Sequence, residues 1–227
     1  MGTSQIQRKT HIECRAVLFD LDGVLIDSTE CILRHWRDWA EKNHVDIRKI
    51  ERVAHGLRTV ETMRLVAPHQ NVEQDAATFH DHELLDTEGI IAIDGALRLL
   101  TALPEWSWTI VTSASRDLVK VRMAKAGLQM PEKCVTADDV RNGKPSPEPY
   151  LLGAEKLGNT PQECVVVEDA PSGIEAGKKA GMRVIAIAST HSRQTLLETE
   201  ADYIVDRLLD LHISSSDDDR ILSIMLE

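Results

Sequence analysis

The sequence predicts an α/β protein, with a Rossmann-like, doubly wound parallel sheet as its core and an α-helical cap inserted into that core. Short uninterrupted apolar runs end abruptly at polar residues, which is typical of strands buried on both faces of a sheet. From residue 96 onward such runs alternate with helical segments, as in a parallel sheet with crossover helices. Residues 45–88 show helical spacing and no convincing strand, which indicates the inserted cap.

The composition narrows the class of protein. The chain of 227 residues carries 37 acidic and 26 basic residues, a formal net charge of −11, which disfavours nucleic acid or an acidic membrane surface as a partner. We find no apolar run near the roughly 18 residues of a membrane span, and residues 1–13 are unlike a signal peptide. The four cysteines form no Cys-x-x-Cys pair, which indicates free thiols in a reducing compartment. We therefore expect a soluble, cytoplasmic, monomeric protein.

The first strand of the core is predicted at Ala16–Phe19, after a polar lead-in. It runs directly into Asp20, with Asp22 and the turn residue Gly23 behind it. Two carboxylates at the end of a buried strand cost free energy unless something there uses them, and ligands of open α/β sheets bind at that end. An acidic turn without a function is the alternative that this stretch alone leaves open.

The cap is predicted at residues 29–94. Apolar spacing indicates helices over residues 31–42, about 53–66 and about 72–85, the second of them stopped by Pro68. We interpret the polar run at residues 80–83 (His-Asp-His-Glu) as a solvated helix face rather than a metal site, because residues two apart on a helix do not share a face.

The remaining elements complete the core, which we assign to residues 12–28 and 95–213. Strands are predicted at residues 108–111, 134–136, 164–167, 184–188 and 203–205. Helices are predicted at residues 96–103, from 116 to Gly127, from Ser146 to Gly158 and at 174–180, the last capped by Ser172. Residues 1–11 and 214–227 are assigned to terminal tails, and the last dozen residues are interpreted as a docking helix or a frayed tail.

Polar residues follow three of the predicted strands, and we expect them to converge at one sheet edge. Crowding Asp20, Asp22 and Asp169 there requires a cation or raised pKa values, since two carboxylates about 4 Å apart repel by roughly 4 kcal/mol at an effective dielectric of 20. Oxygen ligands suit Mg²⁺, which keeps sites for a substrate phosphate. Ser113, near a helix start, and Lys144, on a proline-fixed loop, suit a phosphate cradle. A carboxylate beside the metal could then attack phosphorus.

Four motifs in order resemble those of phosphatases of the haloacid dehalogenase superfamily with a helical cap, and the resemblance covers nearly all of residues 16–206. The motifs are Asp20-Leu21-Asp22-Gly23, Ser113 after a buried strand, Lys144-Pro145, and Glu168-Asp169-Ala170-Pro171-Ser172-Gly173. Each motif alone is weak, whereas the four together with suitable spacing are specific. In the second motif Thr112 is an alternative to Ser113.

The resemblance implies a role for each motif residue. Asp20 is expected to be the nucleophile and Asp22 the general acid and base. Ser113, with Ala114 beside it at the helix start, and Lys144 are expected to hold the phosphoryl group. The expected Mg²⁺ ligands are Asp20, the carbonyl of Asp22, Asp169 and, as a further or indirect ligand, Glu168.

The predicted cap also carries a resemblance. The run from His55 through Gly56 and Arg58 to Glu61 resembles phosphatases of small polyol and sugar phosphates, such as glycerol-3-phosphate and 2-deoxyglucose-6-phosphate phosphatases. We therefore expect His55, Gly56 and Arg58 to bind substrate, although Arg58 could instead be a solvated side chain. A β-phosphoglucomutase-like transferase, a phosphoglycolate-type phosphatase and a binding protein without turnover are alternatives. Mutase relatives carry a histidine where this chain has Ile32, which favours hydrolysis.

Overall fold

The computed structural model describes residues 10–69, 71–216 and 220–226. Its strands, in chain order, are β1 Thr10–Cys14, β2 Ala16–Phe19, β3 Ile26–Asp27, β4 Ile91–Ala92, β5 Trp108–Ile110, β6 Cys164–Glu168, β7 Arg183–Ile187, β8 Tyr203–Val205, β9 Leu211–Ser216 and β10 Ile221–Leu226. Its α-helices are α1 Thr29–Asn43, α2 Ile47–Glu51, α3 Thr59–Val66, α4 Val72–Leu85, α5 Ala96–Ala102, α6 Arg116–Lys125, α7 Glu148–Leu157, α8 Pro171–Lys179 and α9 Arg193–Leu196.

The core is a five-stranded parallel sheet with strand order β5-β2-β6-β7-β8, which confirms the predicted fold class. Phe19 on β2 is in register with Ile110 on one side and Val167 on the other, so three carboxyl ends lie at one edge. The strand order reverses at β2, because β5 pairs on one side of it and β6 on the other. Ligands of such sheets bind in the crevice at this reversal.

Two apolar layers cover the sheet because side chains along β2 alternate between its faces. Val17 and Phe19 belong to one buried cluster, together with residues of α5 and α6. Ala16 and Leu18 belong to the other, with Tyr150 on α7 and residues of α8. Every side chain of β2 is fully buried, as its uninterrupted apolar sequence predicts.

The segment between β3 and β4 is helical and has an apolar cluster of its own. Trp36 and Trp39 on α1 pack there with Met63 on α3 and Phe79 on α4. The bounds of α4 agree with the prediction, whereas the single helix predicted over residues 53–66 is wrong in its first half. The chain forms α2 and α3 with a loop between them. The assignment of residues 29–94 to a cap stays a prediction.

The loop between α2 and α3 has a local cause. Gly56 has a φ of 81°, a left-handed conformation that ends helical geometry and favours glycine. The side chain of Glu61 then accepts the N–H of Arg58, 3.2 Å away, and so satisfies a free donor at the start of α3.

The C-terminal residues form strands, so the assignment of residues 214–216 to a tail is wrong, as is the docking helix or frayed tail predicted over residues 221–226. Strand β10 lies between β1 and β9 in a three-stranded antiparallel sheet. Along β10 alternate side chains are buried, and Leu222 and Ile224 join the cluster under α5. This period of two is that of a half-buried strand. The predicted tail at residues 1–11 is likewise wrong for Thr10 and His11, while residues 1–9 and 217–219 lie outside the described range.

Three further local predictions are wrong. The strand predicted at residues 134–136 is only an isolated bridge between Val111 and Val135. Helix α7 begins one residue later than predicted, with Pro147 as its N-cap. Helix α8 begins at Pro171 rather than after Ser172, and its N-cap is Ala170, whose N–H donates to the buried Glu168 carboxylate at 3.1 Å. Within the described ranges no helix is both long and apolar enough to span a membrane.

The C-terminal hairpin should contribute to stability because its buried face belongs to the main apolar cluster. We expect Ile224→Ala to lower the free energy of unfolding by about 2–5 kcal/mol, as for other large-to-small core substitutions. Ser214→Ala, on the exposed face of the adjacent strand, is the control and should change it by less than about 0.5 kcal/mol. Equal denaturant midpoints for the two variants in chemical unfolding would show that the hairpin is not part of the core.

Candidate active site

The crevice at the carboxyl edge of the sheet collects the predicted site residues. Asp20 follows β2, Thr112 and Ser113 follow β5, and Glu168 and Asp169 lie at the end of β6. Because these three strands are neighbours in the sheet, residues far apart in the chain meet at one edge. Of these residues, Asp20, Thr112, Ser113 and Asp169 border a cleft of about 250 Å³, to which the helical segment at residues 29–85 also contributes walls.

A buried lysine bridges two of the carboxylates. The Nζ atom of Lys144 lies 2.6 Å from Oδ1 of Asp20 and 2.6 Å from Oε1 of Glu168, and all three side chains are almost fully buried. Burial opposes the charge on Lys144, but the two carboxylates outweigh it and raise the pKa of Lys144 above its usual value. The ammonium is therefore charged at every physiological pH. Removing one member would leave a buried charge without compensation.

Glu168 has hydrogen bonds on both of its carboxylate oxygens. Besides Lys144, the hydroxyl of Tyr150 donates to Oε1 at 2.8 Å, and the N–H groups of Asp169 and Ala170 donate to Oε2. Although burial acts to raise the pKa of Glu168, Lys144 lowers it below its usual value. A side chain at Gly173 would overlap this carboxylate, so glycine is required there. Glu168 therefore anchors Lys144 and the start of α8.

Three buried carboxylates lie close enough together to bind a cation with their oxygen atoms. Oxygen atoms of Asp20, Glu168 and Asp169 all lie within 4.8 Å of one another. Oδ1 of Asp169 is buried without a hydrogen-bond partner, while Oδ2 accepts from the hydroxyl of Thr190. An unsatisfied buried carboxylate oxygen beside another carboxylate is a donor set that a hard divalent cation would satisfy. The residues present therefore fit a metal ion.

The electrostatics of this group agree with that fit. Burial raises the pKa of Asp20 to about 7, although Lys144 acts to lower it. Burial, together with the charge of Glu168, raises the pKa of Asp169 well above its usual value. Gly23 has a φ of 88°, and a side chain there would overlap Oδ2 of Asp169, so the first loop can approach the acidic group only with glycine.

The carboxylate of Asp22 is held by donors outside this group. The hydroxyl of Ser28 donates to its Oδ1 at 2.5 Å, and the guanidinium of Arg122 donates to its Oδ2 at 2.8 Å. The same guanidinium donates to Oε1 of Glu83 at 2.7 Å. All four residues border the cleft.

Arg122 and Glu83 were missed by the sequence reasoning. The prediction that residues 80–83 form a solvated face is wrong at its end, because the side chain of Glu83 is only 5% exposed. One signal was available, since Val72, Ala76, Phe79 and Glu83 recur at helical spacing and place Glu83 on the buried stripe of α4. No signal in the sequence pairs it with Arg122.

The hydroxyls of the second motif point to different partners. The hydroxyl of Ser113 donates to the carbonyl of Gly56 at 2.7 Å, while the hydroxyl of Thr112 accepts the N–H of Ala114 at 3.1 Å. Thr112 is buried and Ser113 is half-buried, and both border the cleft. Ser113 thus connects the end of β5 to the predicted cap.

The predicted substrate-binding residues His55, Gly56 and Arg58 border the same cleft. Arg58 is not a solvated side chain, because it is ion-paired with Glu61 and donates to the carbonyl of Arg141 at 3.1 Å. The ring of His55 contacts that of His191, with centroids 5.3 Å apart. A side chain at Gly56 would collide with Ser172, so the chain passes close to α8 only with glycine there.

The fold is that of a Rossmann-like α/β protein, with a buried acidic site where the strand order reverses. More specifically, the chain belongs to the haloacid dehalogenase-like hydrolases, whose family model matches residues 17–187. The predicted resemblance is thereby confirmed.

Known proteins of this family are similar over most of the chain. Hexitol phosphatase A of Escherichia coli (strain K12) is 41% identical over 83% of this chain and 90% of its own length. Glycerol-1-phosphate phosphohydrolase 2 of Saccharomyces cerevisiae is 37% identical over 86% of this chain and 82% of its own length. Among solved structures, a hydrolase from Pseudomonas syringae has a TM-score of 0.75 at 24% identity, covering 86% of this chain and 94% of that one, which shows the same fold.

Without a metal ion, the acidic group should make stability depend on pH. Between about pH 4 and pH 7 the folded protein keeps protons on Asp20 and Asp169 that the unfolded chain has released. Their contribution to the free energy of unfolding should therefore fall as pH rises, by up to about 1.4 kcal/mol per pH unit for each proton that only the folded protein keeps. In chelator, Asp169→Asn should gain stability relative to the unmodified protein as pH rises through this window.

The control is Asp38→Asn, which removes an exposed carboxylate on α1. Its stability relative to the unmodified protein should not rise with pH in this window. Urea unfolding at several pH values measures both differences. Parallel pH profiles for Asp169→Asn and the unmodified protein would contradict the buried acidic group.

Proposed function

We propose that this protein is a Mg²⁺-dependent phosphatase that hydrolyses small sugar or polyol phosphate monoesters through an aspartyl-phosphate on Asp20. The observation that carries the proposal is the buried Lys144 between Asp20 and Glu168, beside the unpartnered oxygen of Asp169. Such a group combines a carboxylate nucleophile, a fixed positive charge for phosphoryl oxygens and a place for a cation.

The proposed metal ligands are Asp20, the main-chain carbonyl of Asp22 and Asp169, with Glu168 as a further or indirect ligand. A Mg²⁺ ion bound there would neutralise charge on the phosphoryl oxygens and on the two aspartates. Lys144 supplies the second positive charge. Ser113, with Ala114 at the start of α6, supplies polar groups for the remaining phosphoryl oxygens.

The reaction proceeds in two displacements at phosphorus. A carboxylate oxygen of Asp20 attacks the phosphorus, the ester P–O bond breaks, and Asp22 gives its proton to the departing alcohol oxygen. Water then attacks the phosphorus of the aspartyl-phosphate and loses a proton to Asp22. The bond from Asp20 to phosphorus breaks, and inorganic phosphate leaves with the enzyme restored.

We propose that the residues of the predicted cap that border the cleft determine which class of substrate binds. One relative is named for a hexitol phosphate and another for glycerol 1-phosphate. Both names refer to phosphates of small polyols. A cleft of about 250 Å³ suits a substrate of that size. We propose that His55, Gly56 and Arg58 bind the hydroxyl-bearing part of the substrate.

The charges on the cleft wall favour hydrolysis over the mutase alternative. A mutase of this type must also hold a bisphosphate, whose second phosphate needs an available cation. Among the described residues that border the cleft, the arginines are Arg58 and Arg122, and each is already paired with a carboxylate. A phosphoglycolate-type substrate would likewise need an available cation, for its carboxylate. The same pairing of both arginines therefore disfavours that alternative.

We also propose that the protein works as a cytoplasmic monomer without a nucleic-acid or membrane partner. The four cysteines are all buried and unbridged, which agrees with a reducing compartment. The net charge of −11 supports a small-molecule substrate rather than a polyanionic partner.

Phosphate release should depend on metal and on Asp20. With Mg²⁺ we expect inorganic phosphate from glycerol phosphate and hexitol phosphates, and none after chelation. Asp20→Asn should lower kcat by at least about 10³-fold, because the nucleophile is lost. Asp27→Asn, an exposed aspartate seven residues away, is the control and should keep near-normal activity.

Full turnover by Asp20→Asn would contradict the mechanism. Tight binding of sugar phosphates without hydrolysis across a phosphate panel would instead support a binding protein. Conversion of β-glucose 1-phosphate to glucose 6-phosphate, with a trace of the 1,6-bisphosphate and little free phosphate, would support the mutase.

A further inference from the structure

We propose that Arg122 and Glu83 form a positioning pair that aims the carboxylate of Asp22 at the leaving oxygen of the substrate. The inference rests on the proposed function, in which Asp22 protonates the departing alcohol. It adds two residues that belong to none of the four motifs. Neither residue is itself expected to touch the reacting atoms.

The geometry is that of a continuous buried network. One guanidinium nitrogen of Arg122 lies 2.8 Å from Oδ2 of Asp22, and the other terminal nitrogen lies 2.7 Å from Oε1 of Glu83. The side chains of Arg122 and Glu83 are 6% and 5% exposed, whereas that of Asp22 is 21% exposed and reaches the cleft. The planar guanidinium therefore binds two carboxylates at once, one half-buried at the cleft and one buried.

Each member of the network comes from a different part of the chain. Asp22 lies in the loop after β2, Arg122 on the core helix α6 and Glu83 on α4 of the predicted cap. A purely structural ion pair between α4 and α6 would need only Glu83 and Arg122. Here the pair extends to Asp22, which borders the cleft together with Asp20, and so connects the cap segment to the proposed proton donor.

The network fixes the orientation of Asp22. Ser28 occupies Oδ1 and Arg122 occupies Oδ2, so the carboxylate is held from both sides. Effective proton transfer requires the donor to be within hydrogen-bond reach of the leaving oxygen. Glu83 contributes by holding the guanidinium in place and by sharing its charge, so that Asp22 does not face the whole positive charge alone.

The test compares two leaving groups. An alkoxide such as that of glycerol 1-phosphate must be protonated as it leaves, whereas nitrophenolate from p-nitrophenyl phosphate leaves without a proton. The quantity to measure is kcat/KM, because it reports only the steps up to release of the leaving group. Loss of positioning should therefore appear with glycerol 1-phosphate and be small with p-nitrophenyl phosphate.

Two variants disturb the network in different ways. Glu83→Gln keeps an oxygen acceptor but removes the charge, and Arg122→Lys keeps the charge but cannot hold two carboxylates with a planar fork. For each variant we expect kcat/KM to fall at least about tenfold with glycerol 1-phosphate and less than about threefold with p-nitrophenyl phosphate. Because the variants lie on different helices, the test stands if only one of them folds.

Matched controls lie on the same two helices. Glu73→Gln, on α4, removes a surface charge that is paired with Arg64. Arg116→Lys, on α6, alters an ion pair with Asp139. Both should leave the ratio of the two kcat/KM values unchanged.

Equal losses on the two substrates, or losses no larger than those of the controls, would overturn the inference while leaving an active, Asp20-dependent phosphatase in place. An unmodified protein without phosphatase activity would overturn the proposed function and the inference together.

Discussion

The rest of this structure depends on the ion pairs that the ammonium of Lys144 makes with two buried carboxylates. Carboxylates buried at neighbouring strand ends repel each other and lose their hydration, so they cannot be ionised together without a cation. Lys144 lies 2.6 Å from both Asp20 and Glu168 and supplies that charge from within the protein. Glu168 in turn orients Lys144 and the start of α8. One buried lysine thus connects the sheet, a loop and a helix at the proposed reaction centre.

The sheet topology and two glycines make that crowding geometrically possible. Reversal of the strand order at β2 opens a crevice over the ends of three neighbouring strands. Gly23 and Gly173 then let the backbone approach Asp169 and Glu168 more closely than any residue with a side chain would allow. The fold and the site therefore depend on each other, since the packing that builds the core also brings the charged side chains together.

The sequence predicted those features that have a local signature. Apolar runs ending in polar residues located the parallel strands and the acidic edge, and the helical spacing of residues 72–85 located α4 to the residue. The C-terminal hairpin was missed because a short apolar run fits a strand or a helix until its partners are known. The contact of Arg122 with Asp22 was missed because a pairing across 100 residues leaves no periodic trace.

The most direct test of this account is to identify the atom that accepts the phosphoryl group. Acid quenching during turnover of a polyol phosphate, followed by mass spectrometry of peptides, detects a covalent phosphoryl group on its residue. The account predicts that the peptide containing Asp20 gains one phosphoryl group with substrate and Mg²⁺, and that Asp20→Asn shows none. Steady turnover with no phosphorylated peptide, or with the phosphoryl group on another residue, would contradict it.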